Sequence, residues 1–223
     1  MSPPHSCFDG GRPLVADASV WINIIAGGQA VAILRALGCP PILPRIVLGE
    51  LERGRDKGRA TAERMAELIE MGLVEVAELH TDAEALFMGL VVGSISETLD
   101  DGEAATLAHA LQIGGTAMID ERKAIGLASR RFPALPIVSS AEFLLSPVTR
   151  GVLNQEEIAV MLHAALQGAR MRVPDEYLAE VCRILGPVRA ADCTSLPAAL
   201  RSKSMLVSKG EQGGDLAGRR YEL

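Results

Sequence analysis

Two aspartates each follow a short apolar run directly: Asp17 after Pro13-Leu14-Val15-Ala16, and Asp120 after Thr116-Ala117-Met118-Ile119. Two glutamates sit in comparable surroundings. Glu50 lies within Val47-Leu48-Gly49-Glu50-Leu51, and Glu103 follows Asp100-Asp101-Gly102 at the head of an alanine-rich stretch. In an open parallel sheet, ligands bind outside the carboxyl ends of the strands, and an acid placed straight after a buried strand projects there. Four carboxylates drawn into one cleft repel one another strongly unless a cation joins them. Hard divalent ions take oxygen ligands, and Mg²⁺ is usually held by one or two carboxylates with waters completing its shell. Such a site serves phosphoryl chemistry, activating the attacking water and neutralising charge on the leaving oxygen. Each acid also has a purely structural role open to it. Asp17 and Asp120 could cap the following helices, Glu50 could face solvent, and Asp100 with Glu103 has capping-box spacing. Their recurrence in apolar settings favours the shared site.

Other chemistries find little support. His5, His80, His109 and His163 form no cluster, and there is no Ser-His-Asp, Cys-His or HExxH arrangement. The glycines make neither a GxGxxG nor a P-loop, so a nucleotide cradle is absent. Cys7, Cys39, Cys182 and Cys193 are widely spaced and include no CxxC pair, which reads as four reduced thiols in a cytoplasmic protein. The formal net charge of −6 weighs against a phosphate-binding partner. A metal ion bound among the acids would reverse that sign locally. Basic residues do cluster, at Arg53, Arg55, Lys57 and Arg59 and again at Arg122, Lys123, Arg130 and Arg131, where a solvated helix face is the plainer reading.

The elements that position the acids follow from the hydrophobic pattern. At 48% hydrophobic and only 3% aromatic, the core must be built from Ala, Leu, Ile, Val and Met, which suits helices laid on a small buried sheet. Strands are expected at residues 13–17, 41–43, 73–77, 116–119 and 136–138, with helices between them. That alternation implies parallel strands joined by right-handed crossovers, in three α/β/α layers. Two further helices are expected at 155–166 and 174–185. The expected organisation is a flexible start over 1–12, a site-bearing domain over 13–148, a helical extension over 149–186 packed on it, and a flexible tail over 187–223. No apolar run approaches the ~20 residues that span a membrane, and residues 1–12 lack the apolar stretch of a signal peptide.

Taken in order, these segments resemble the four motifs of PIN-domain nucleases. Val15-Ala16-Asp17-Ala18-Ser19-Val20-Trp21-Ile22 resembles the opening motif, and the Glu50 helix the second. Asp101-Gly102-Glu103-Ala104-Ala105-Thr106-Leu107-Ala108 resembles the third, in the form where Gly-Glu replaces Asp-Ala. Met118-Ile119-Asp120-Glu121-Arg122-Lys123-Ala124 resembles the fourth, in the variant with a second acid. The resemblance spans about residues 13–145, and the later helices fit the extended form of that branch. It implies a ribonuclease dependent on Mg²⁺ or Mn²⁺, with Asp17, Glu50, Glu103 and Asp120 as metal ligands. Ser19, Asp101 and Glu121 would support them, and Arg122 or Lys123 would hold the RNA backbone. It also implies kinship with toxin–antitoxin ribonucleases, hence an inhibitory antitoxin partner and a homodimer. Two positions depart from the family pattern: Met118 stands where Ser or Thr is usual, and Glu103 where Asp is usual. The alternative from another class is a PIN-like module that binds RNA or protein without cutting. A phosphoacceptor domain of similar topology ranks last, because Asp17 has no adjacent acid.

Overall fold

A computed structural model describes residues 11–55, 60–94 and 97–201. Five short strands, β1 (Leu14–Ala16), β2 (Ile42–Pro44), β3 (Glu75–Ala77), β4 (Thr116–Met118) and β5 (Ile137–Val138), form one sheet in the order β3-β2-β1-β4-β5. All four pairings are parallel, with Val15 opposite both Ile42 and Ala117. Strand order reverses at β1, whose neighbours are β2 and β4. Asp17 and Asp120 follow the carboxyl ends of β1 and β4, at that switch point.

The helices divide between the two faces. One core collects Leu14, Ala16, Trp21, Leu43 and Met118 from the sheet and the first helix, together with residues of the C-terminal helices. The other collects Val15, Ala117 and Ile119 with Leu107, Ala124 and Leu127. Alternate residues of β1 thus enter opposite cores, as the pleat requires. This is the expected three-layer α/β/α arrangement around a small parallel sheet.

Three helices matter most for the site. Helix α1 (Ala18–Ala26) begins immediately after Asp17, and α3 (Arg45–Arg55) follows β2. Helix α6 (Asp101–Ile113) ends at Gly114, whose φ of +64° makes the left-handed C-cap. Residues 102–110 of α6 are all buried. Ala104, Ala105 and Ala108 are fully so, and their small side chains let the helix lie close to the sheet.

Helices α10 (Gln155–Gly168) and α11 (Asp175–Asp192) close the structure, α10 packing on both α1 and α11. Asn154 and Glu157 form a full capping box at the start of α10. Residues 187–201 correct the expectation of a tail from 187. The chain breaks at Gly186, with φ +69°, and resumes as helix with Pro187 in its first turn. Ala190, Cys193 and Leu196 are buried, so this segment contributes to the core. The Gly186-Pro187 pair marks a bend between two helical stretches. Residues 1–10 and 202–223, and with them the expectation of flexible ends there, lie outside the described residues.

Cys182 and Cys193 are free thiols; Cys7 lies outside the described residues. Among the described residues no single helix is long and apolar enough to cross a membrane.

Candidate active site

Asp17 is both a cap and a cleft residue. It is the N-cap of α1, and its Oδ2 accepts from Ser19 N at 3.1 Å and from Ser19 Oγ at 2.7 Å. Burial raises its pKa, the Ser19 hydrogen bonds oppose that, and the neighbouring charge of Asp100 adds to it. Glu50, from the middle of α3, is pushed up to about 7 by burial and by Asp17 and Asp100. Glu103 is pushed up to about 8 by burial, with Asp100, Asp17 and Glu121 adding. Glu50 and Glu103 thus both feel Asp17 and Asp100 as like charge, and all of them line one cavity. The sequence-predicted acids Asp17, Glu50 and Glu103 therefore meet.

Beside Glu103, the third motif supplies a different second carboxylate from the one expected. Asp100 is the N-cap of α6, accepting from Glu103 N at 2.9 Å through Oδ1. The reciprocal half of a capping box is missing, so the Glu103 side chain is left to face the cleft. Asp100 joins Asp17, Glu50 and Glu103 in lining a cavity of about 810 Å³. Asp101, expected as the supporting acid, is exposed and does not line that cavity. The reason is geometric: a cap residue has extended backbone, and the next residue starts the helix on another face.

Gly102 explains the Gly-Glu form of the motif. A Cβ there would stand 2.5 Å from Glu50 Oε2 and 2.9 Å from its Cδ. Instead the bare backbone N–H of Gly102 donates to the Glu50 carboxylate, at a helix N-terminus where negative charge is favoured. Gly102→Ala should therefore keep the fold, since alanine suits a helix and the carboxylate can swing away. It should also displace Glu50, weakening Mn²⁺ binding by roughly tenfold or more, which calorimetric titration of the two proteins would measure. Unchanged affinity would remove Glu50 from the site.

Asp120 lines the same cavity but is held differently. Ser140 N donates to its Oδ1 at 2.7 Å, while Ser140 Oγ and Asn23 Nδ2, the latter at 2.8 Å, donate to its Oδ2. Burial raises its pKa, and these three bonds oppose the rise. A carboxylate has about four lone-pair sites, so one acceptor position remains. Glu121, not Asp120, caps the next helix, α7 (Arg122–Arg131), through Lys123 N at 3.2 Å.

Several residues of the site escaped sequence reading. Asn23 could have been noticed as the lone amide among apolar neighbours in α1. Arg64, from helix α4 (Thr61–Glu70), and Arg170 and Arg172, from the link between α10 and α11, line the acidic cavity. Arg172 Nη1 donates to the Asp120 carbonyl at 3.1 Å. Arg170 takes φ +56°, the only non-glycine residue with positive φ among those described. The C-terminal extension thus reaches the cleft with two cations. Of the two expected substrate-holding residues, Arg122 lines an adjoining cavity, whereas Lys123 lies exposed one residue on. Of the basic cluster near Arg53, residues 56–59 lie outside the described residues.

Among the described residues no group of three or more His, Cys, Asp or Glu side chains is arranged to clasp a metal ion directly. The donor set nevertheless suits a hard divalent ion. It is all oxygen, burial raises the pKa of Asp17, Glu50, Glu103 and Asp120 so that a cation would relieve desolvated negative charge, and Mg²⁺ needs only one or two direct carboxylates with waters for the rest.

A small parallel sheet between two helical layers, with an acidic cleft at its carboxyl edge, is consistent with a PIN-like α/β/α fold. A family model described as a PIN domain matches residues 13–187, and the chain belongs to that family. PIN domains are generally nucleases acting on RNA or other nucleic acid, and the match takes in α10 and the first part of α11. Comparisons with curated proteins and with solved structures gave no match.

Proposed function

We propose that the protein is a divalent-metal-dependent endoribonuclease. The observation that carries this reading is the gathering of Asp17, Glu50, Asp100 and Glu103 in one cavity with three arginines, where Asp17 and Asp100 raise the pKa of both glutamates. Asp17, Glu50, Glu103 and Asp120 would hold Mg²⁺ or Mn²⁺, directly or through waters, and Asp100 joins them in place of Asp101. An ion bound there would supply water activation and charge neutralisation at the leaving oxygen.

The chain's own residues do the rest. Ser19 orients Asp17, Ser140 and Asn23 orient Asp120, and Gly102 with the α6 N-terminus orients Glu50. Glu121 stands next to Glu103 as a further negative charge. Arg64, Arg170 and Arg172 would receive phosphate oxygens, with Arg122 and Lys123 farther along the strand. The resemblance to toxin–antitoxin ribonucleases suggests an inhibitory protein partner over the cleft, a homodimeric assembly and a cytoplasmic RNA target as parts of the same proposal.

One observation favours a second reading, a module that binds RNA without cutting: the Asp120 carboxylate is already occupied by three donors. Incubating the purified protein with a mixed RNA pool decides between them. Cutting with Mn²⁺ that EDTA abolishes is the expected result. RNA retained but uncut in Mn²⁺ would establish the second reading instead.

A further inference from the structure

A second cavity, of about 760 Å³, adjoins the acidic cleft, and Asp120 and Arg172 line both. A strand lying across the carboxylates and passing Arg172 would enter it directly. Its volume falls within the ~300–1,000 Å³ typical of small-ligand sites.

The wall chemistry is that of a base pocket. Ile125, Phe132, Leu135 and Ile137 supply an apolar side. The half-buried Phe132 ring is steadied by the Arg131 guanidinium, 5.5 Å from its centroid. Stacking of a nucleobase on such a ring is worth about 1–3 kcal/mol and does not select sequence. Selection must come from the polar side.

Glu142 provides that. Its spacing from Ser139 suggests a capping box at the start of helix α8 (Ser140–Leu144), yet only half of one forms. Ser139 Oγ accepts from Glu142 N at 3.1 Å, while the Glu142 carboxylate accepts from the Tyr177 hydroxyl and lines the second cavity. One donor leaves most of a carboxylate's acceptor positions open. The cations Arg122 and Arg172 are outnumbered by Asp120, Glu142, Asp175 and Glu176. This balance disfavours a run of phosphates and suits a base that offers N–H groups.

We infer that this cavity binds the base of a nucleotide neighbouring the cleaved phosphodiester, reading its Watson–Crick edge with Glu142 and stacking it on Phe132. Guanine, with adjacent N1–H and amino donors, fits best. The inference rests on the nuclease reading for its place along the strand, but the binding it predicts needs no metal.

The test is fluorescence anisotropy in EDTA with the full chain and two labelled single-stranded RNAs, an oligouridine and the same strand carrying one guanosine. Wild type should bind the guanosine strand tighter by roughly five- to a hundredfold, the discrimination of a good bidentate contact. Glu142→Gln should erase that preference, whereas Phe132→Ala should weaken both strands. Equal binding of the two strands by wild type, binding of neither, or a preference that survives Glu142→Gln would overturn the subsite. The nuclease reading is judged separately, by Mn²⁺-dependent cutting of the mixed pool.

Discussion

Asp17→Asn is expected to raise the melting temperature of the metal-free protein while lowering RNA cleavage by roughly a hundredfold or more. The two effects have one cause. Asp17 is buried beside Glu50, Asp100 and Glu103, so its charge costs folding free energy when no cation is present. Asparagine keeps the oxygen that caps α1 and accepts from Ser19, and it is among the best N-cap residues. The substitution thus removes repulsion and little else. Each kcal/mol so gained is worth ~2–4 °C in a chain of this size. Cleavage falls because even residues that merely orient a metal ligand cost ~10–100-fold when changed. Circular-dichroism melts in EDTA, with cleavage assays in Mn²⁺, measure both. A drop in melting temperature with activity intact would make Asp17 a structural cap.

A second large effect is in pH. Glu50 is raised from 4.5 to about 7 and Glu103 from 4.5 to about 8 by folding. Asp17 and Asp120 move the same way. A carboxyl group with a raised folded pKa binds its proton more tightly when folded. Its contribution to stability is full below the unfolded pKa and is lost as pH rises through the folded value. Burial of His109 lowers its pKa and has the opposite sign, but that contribution is complete once histidine is neutral in both states. Between about pH 6.5 and about pH 8 the metal-free protein should therefore lose melting temperature steadily. Saturating Mn²⁺ should flatten the slope, because the cation takes the place of the protons. A metal-free melting temperature that is level or rising across this window would mean that the acids do not share a cleft.

Much of this was legible in the sequence, for reasons that can be named. Asp17 and Asp120 were legible because each closes a short apolar run, and two such acids together favour a shared site over two separate helix caps. Parallel order follows from strands separated by helices, and the sheet has that order throughout. Glu103 was harder to read, because its spacing from Asp100 equally fits a capping box, and the alanines behind it only permit a close helix–sheet approach.

What stayed hidden depends on contacts between distant segments or on backbone angles at single positions. Asp100 and Asp101 are adjacent, and only the extended conformation at the cap, with ψ of 169°, sends Asp100 inward. The Asn23–Asp120–Ser140 network ties together residues 97 and 20 positions apart, which no local pattern encodes. Arg170 and Arg172 reach the cleft because α10 packs on α1 and carries the following link over the sheet edge. The helix after Gly186-Pro187 was missed because the same dipeptide can end a helix or begin the next.

The most direct test of the metal site compares the Mn²⁺-induced change in melting temperature of wild type, Asp17→Asn and Asp101→Asn. At a hundredfold excess over the dissociation constant, linkage gives about 2.7 kcal/mol, or a rise of ~5–10 °C. Wild type and Asp101→Asn should show that rise, and Asp17→Asn should show little of it. Equal shifts in all three proteins would mean that the ion binds elsewhere, and the acidic cleft would lose its assigned chemistry.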